Sequence, residues 1–91
     1  MAKEENLNKK IAFKIKINEK NIQNKYDYIR QLVDIVHRDL DKILDDIDNK
    51  TRNDILAFKV RDAGTEILDK YEEIRHIEDE NRFLKELIRE D

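Results

Sequence analysis

Residues able to do chemistry are numerous in this chain, but they do not assemble into a constellation that chemistry needs. His37 and His76 stand alone. Neither belongs to an HExxH, nor to a His-x3-His pair that would set two imidazoles on one helical face for a metal. Asp46 and Asp48 have the spacing of the first two ligands of a calcium loop, yet Thr51 occupies the place of its required glycine. One glycine in the whole chain builds no phosphate cradle, and GxxxxGK[ST], GxGxxG and GxSxG are all missing. Zero cysteines remove a disulfide framework, a thiolate zinc site and a cysteine nucleophile. Lys70, Asp79 and Arg82 approach part of the clamp by which small helical mutases of the chorismate-mutase kind hold a dianion. Phe83 takes the place of that clamp's acidic residue, and too little chain remains for its third helix. The expectation is a protein without catalytic, cofactor-binding or metal residues, and not an enzyme.

Charge points to partners more than to reactions. The net charge of −3 hides a segregation, with residues 1–30 at +4 and residues 31–91 at −7. A basic arm on an acidic body binds an anion or the acidic body of another copy. Phe13 among Lys9, Lys10, Lys14 and Lys16 is the sole nucleic-acid candidate. The acids spread through the second half make a poor groove reader, so nucleic acid is the disfavoured partner. The acidic run Asp39, Asp41, Asp45, Asp46 and Asp48 reads as a solvated face, with mimicry of a nucleic-acid backbone the alternative. No run of apolar residues is long enough for a membrane span or a signal-peptide core, so the expected compartment is the cytoplasm.

The elements that must carry these residues are helices. Ala, Glu, Lys, Leu and Arg make up 41 of the 91 residues, while one Gly and no Pro leave little material for the turns of a β domain. Ile11, Phe13, Ile15 and Ile17 alternate with polar residues, which favours a short extended arm, with Asn18 as the N-cap of the first helix. The alternative is helical, since Ile11, Ile15 and Ile22 also fit one helix face with Asn18 between them. From there Ile22, Tyr26, Ile29, Val33, Val36, Leu40, Ile43 and Ile47 step by four and three, an unbroken heptad seam. Leu32, Ile35 and Leu44 widen it beyond a bare two-stranded seam.

The pattern stops at Asp48–Asp54 and resumes out of phase. Thr51 and Asp54 have the form of a capping box, and Asn49 is the residue best suited to a left-handed helix end. A turn is expected at about 48–51, with one continuous rod carrying a stutter as the runner-up. The second stripe runs through Leu56, Val60, Ala63, Ile67, Tyr71, Ile74, Ile77, Asn81, Leu84 and Ile88. Asn81 falls at an a position, where one asparagine fixes register and partner number unless it faces water at a frayed end. Gly64 lies well inside this helix, where small side chains let another helix come close.

The expected fold is therefore all-α: a single domain, 1–91, with residues 1–17 as the basic arm and a long antiparallel hairpin over about 18–48 and 52–90. Two helices share one contact face, so such wide stripes call for a further partner. Homo-oligomerisation into a four-helix bundle, with a dimer favoured, is the economical solution, and a heteromeric helical partner the alternative. The interface residues expected for it are Ile29, Val33, Val36, Leu40, Ile43, Ile47, Val60, Ile67, Ile74, Asn81 and Leu84.

In its order of parts the chain resembles the ESAT-6/WXG100 group of type VII secretion. The matching features are Ile15-Lys16-Ile17 leading into a helix start at Asn18–Ile22, a polar turn near the middle, and Phe58 soon after it, with Phe58 and Asp62 spaced as Phe-x-x-x-Asp. The resemblance spans residues 15–90 and implies paired helical hairpins and export without a signal peptide. It departs at the turn, where Asp48-Asn49-Lys50-Thr51 stands in place of Trp-x-Gly, and at Tyr71, which is followed four residues on by Arg75 rather than an acid.

Overall fold

The computed structural model describes the backbone of residues 2–88 and the side chains of residues 6–88. Two helices, α1 (Ala2–Asp48) and α2 (Asp54–Leu87), run antiparallel as a hairpin 73 Å long and 15 Å in each other direction. The chain therefore reverses, and the continuous rod is excluded. α2 ends at Leu87, where Ile88 turns to extended backbone, and residues 89–90 of the expected helix lie outside the described residues.

The arm expected to be extended is helical: residues 11–17 belong to α1. Period two and the heptad compete over so short a stretch, and packing decides between them. As a strand, Ile11, Phe13, Ile15 and Ile17 would have no sheet to join. As a helix, Ile11, Ile15, Asn18 and Ile22 form one face against α2, with Ile15 and Asn18 buried and Phe13 left exposed. Asn18 is thus a mid-helix residue and not an N-cap. Its side chain turns into the seam and donates from Nδ2 to Oδ1 of Asn81 at 2.7 Å.

The turn works by capping chemistry, one residue later than expected. Lys50, not Asn49, takes the left-handed conformation, at φ 57°. Its amide bonds the Ile47 carbonyl at 2.9 Å, and the Thr51 amide bonds the Asp46 carbonyl at 2.7 Å. That pair of bonds is a Schellman closure, which satisfies the last carbonyls of α1. Thr51 is consumed in this closure, so the N-cap of α2 is Asn53 in place of Thr51. Asn53 Oδ1 accepts from the Leu56 amide at 3.1 Å while its Nδ2 donates to the Asp46 carboxylate at 2.9 Å. One side chain thereby caps α2 and ties it to α1.

Along the whole hairpin the inward residues step by three and four. On α1 they are Ile11, Ile15, Asn18, Ile22, Lys25, Ile29, Leu32, Val36, Asp39, Ile43 and Asp46. On α2 they are Asn53, Leu56, Val60, Ala63, Ile67, Lys70, Ile74, Ile77, Asn81 and Leu84. Every third or fourth residue turning inward is the geometry of two helices coiling about each other. The seam is thin: Ile15, Ile29 and Ile74 are the apolar side chains buried to core level among the described residues.

Candidate interaction surface

The seam leaves two flanks along the hairpin, and they differ in chemistry. One is polar. Glu73 accepts from Lys70 at 3.1 Å and from Lys25, across the seam, at 3.2 Å. These two ammonium groups hold the Glu73 carboxyl below the usual carboxylate range. The bond to Glu73 likewise raises Lys70, against the partial desolvation that opposes it. The Tyr28 hydroxyl donates to the Glu66 carboxylate, which raises the phenol above its ordinary value by favouring the neutral form, and the Lys70 ammonium lies 5.3 Å from the Tyr28 ring centroid. All of these groups are solvent-facing, so their worth to stability is small. Their arrangement ties the two helices on one side.

The other flank is apolar. Tyr26, Val33, Leu40 and Ile47 recur every seven residues and so form one line along α1, with Leu44 beside them; all are exposed. Contacts between the helices fix what lies opposite. Asn18 meets Asn81, Lys25 meets Glu73 and Asp46 meets Asn53, so partners sum to about 98 and Val33 lies about level with Gly64, Leu40 with Ala57 and Tyr26 with Tyr71. Tyr26, Tyr71 and Leu68 line one groove on this side, floored by Ile74; Tyr26, Val33 and Arg30 line a second, floored by Ile29. A Cβ added to Gly64 would meet no atom within 4 Å. A mid-helix glycine costs about 1 kcal/mol relative to alanine, and no packing inside this hairpin demands it.

The expected interface residues are divided between seam and flank. Ile29, Val36, Ile43, Val60, Ile67, Ile74, Asn81 and Leu84 turn inward within the chain, whereas Val33, Leu40 and Ile47 are exposed, at 38%, 43% and 60%. The heptad run on α1 is real but its two halves do different work: Ile22, Ile29, Val36 and Ile43 face α2, and the intervening Tyr26, Val33, Leu40 and Ile47 face out. The inward places between them belong to Lys25, Leu32, Asp39 and Asp46. Polar identity concealed three of these. The signal able to reveal them was the Ile11, Ile15, Asn18, Ile22 face, whose continuation by threes and fours lands on Lys25, Ile29 and Leu32.

Asn81 is buried, at 5% exposure, and faces its own chain: it accepts from Asn18 and donates to the Ile15 carbonyl at 3.3 Å. Among the described residues no three His, Asp or Glu side chains group as a metal site. No described helix is long and apolar enough to cross a membrane. Neither a family model, a curated protein nor a solved structure matches the chain.

Proposed function

We propose that this chain is a non-enzymatic protein-interaction module that self-associates through the apolar flank of its hairpin, giving a four-helix bundle. The supporting observation is surface left uncovered. The chain exposes 7774 Å² at 11.0 kDa, where a compact monomer of that mass exposes about 5,600 Å². The difference, about 2,200 Å², exceeds the roughly 800 Å² that each partner contributes to a standard interface. The radius of gyration tells the same story: 20.8 Å against about 12 Å for a compact domain of this length.

Energetics agree with this reading. Tyr26, Val33, Leu40, Leu44, Ile47, Leu68 and Tyr71 are each exposed by roughly a third to two thirds. Covering what remains of each is worth about 1 kcal/mol, or about 14 kcal/mol for two copies. Association costs roughly 4–15 kcal/mol, so the flank offsets all but the top of that range and supports a dimer of modest affinity. Paired hairpins are also what the resemblance to the ESAT-6/WXG100 group implies.

Sedimentation equilibrium with circular dichroism tests the proposal: a helical dimer is expected at micromolar concentration. A monomer that is only partly helical alone would favour the competing reading, an adaptor that folds on a heteromeric partner.

A further inference from the structure

Self-association through the apolar flank does not by itself fix how two copies are seated; given that reading, the geometry of the hairpin does. We infer that a second copy docks on the flank of Tyr26, Val33, Leu40 and Ile47, with Val33 and Leu40 of one copy seated over Gly64 and Ala57 of the other. Three observations carry this. First, the middle of the flank is self-complementary: Val33 on α1 stands about level with Gly64 on α2, and Leu40 with Ala57, so two such faces laid together seat large on small there, while Tyr26 stands level with Tyr71. Second, the space over Gly64 is open, since a Cβ there would meet nothing within 4 Å. Glycine in a helix interior loses stability, and here no neighbour in the chain uses the room it leaves. Third, the rim suits a partner. Arg30, Arg61 and Arg75 border the stripe one turn outward, alternating with Asp27, Asp34 and Glu72, and Arg is the charged residue that interfaces favour. The opposite flank has no such room, because Tyr28, Glu66, Lys70, Glu73 and Lys25 already bond one another across it.

The site can be tested without harming the fold, because a Cβ at Gly64 would meet no atom within 4 Å. Gly64→Glu is expected to keep full helicity and weaken dimerisation by about 30-fold or more, the loss typical of an interface hot spot. Val33→Asp should do the same. Ile35→Glu, on the opposite flank, should leave the dimer unchanged. The chain has no native cysteine, so mixing Leu40→Cys with Ala57→Cys protein under mild oxidation should yield a mixed covalent dimer. If wild-type protein is a dimer but Gly64→Glu and Val33→Asp dimerise equally well, or Ile35→Glu alone dissociates it, the location is overturned while self-association stands. A mixture yielding only Leu40→Cys homodimers would overturn the large-on-small seating. A monomeric wild type would overturn both.

Discussion

Asn18 and Asn81 allow the seam to be tested by a double-mutant cycle. Both are almost fully buried, at 3% and 5% exposure, and Asn18 Nδ2 donates to Asn81 Oδ1 at 2.7 Å. No buried side-chain nitrogen or oxygen lacks a partner among the described residues. Replacing Asn81 by leucine strands the Asn18 amide in an apolar seam, at a cost of about 1–3 kcal/mol for the unsatisfied group. The Ile15 carbonyl also loses its donor from Asn81. The leucine offsets part of this by burying about 1.5–3 kcal/mol of apolar surface, so each single substitution should fall between neutral and about 2 kcal/mol destabilising. The double Asn18→Leu, Asn81→Leu removes both amides together, leaves nothing stranded and adds two seam leucines. It should be more stable than wild type by about 2–4 kcal/mol. The assay is urea unfolding followed by circular dichroism at one fixed protein concentration, because the proposed self-association would make the midpoint concentration-dependent. The expected signature is a double variant more stable than the sum of the singles by over 1 kcal/mol. Effects that add to within about 0.5 kcal/mol, the scatter of independent sites, would refute a coupled buried pair.

Three further outcomes rest on the same geometry. Val36 turns inward and Leu40 outward. Val36→Asp should therefore unfold the hairpin by burying an unpaired charge, whereas Leu40→Asp should leave a helical monomer; equal circular dichroism losses in the two variants would contradict that split. Lys50 holds a left-handed conformation that costs L-residues about 1 kcal/mol, so Lys50→Gly should raise the urea midpoint by roughly 0.5–1 kcal/mol in stability, and a lowered midpoint would count against the Schellman closure. Glu73 has a depressed pKa through its bonds to Lys70 and Lys25. The stability from a depressed carboxylate is present above its unfolded pKa, near 4.3, and is lost as pH falls through the lower folded value. Glu73→Gln should accordingly make the stability profile less steep below about pH 5, measured as urea midpoint against pH; parallel wild-type and variant profiles would show that the cluster contributes nothing.

Most of the fold was legible in the sequence, for reasons that particular residues make plain. A single Gly, no Pro and an apolar step of three and four pointed to two helices, and the polar run 48–54 to the reversal without a breaker. The miss at the N-terminal arm has a physical source. Ile11 and Ile15 satisfy both periods, Phe13 and Ile17 only the period of two, and the presence of α2 opposite Ile15 and Asn18 chooses helix. The one-residue shift at the turn arose because Lys50 adopts a conformation usually left to Gly or Asn, which its sequence neighbours do not announce. The flank was legible as residues but not as a surface: Val33 and Leu40 stand in the same heptad run as Ile29 and Val36, and apolar character does not say which side of the shared line meets α2.

What decides that side is polar. α1 has two overlapping stripes that share Ile22, Ile29, Val36 and Ile43. Turning the apolar line Tyr26, Val33, Leu40 and Ile47 toward α2 would bury more hydrocarbon than the line actually chosen, which contains Lys25, Asp39 and Asp46. Two contacts in the seam hold the less apolar choice in place, Asn18 on Asn81 and Asp46 on Asn53, and the exposed Lys25–Glu73 pair adds little. The two seam contacts lie near the open end and at the turn, and a rotation of α1 about its axis by half a residue spacing would break both. Directional bonds fix register where apolar burial, being non-directional, cannot. A chain that commits polar contacts to its own seam while holding its larger apolar stripe outward suits the self-association proposed above. On this view the Asn18–Asn81 pair governs association as well as folding, because it keeps the flank facing out. Removing both asparagines should therefore yield a more stable hairpin that dimerises less well, as α1 becomes free to roll its apolar line inward.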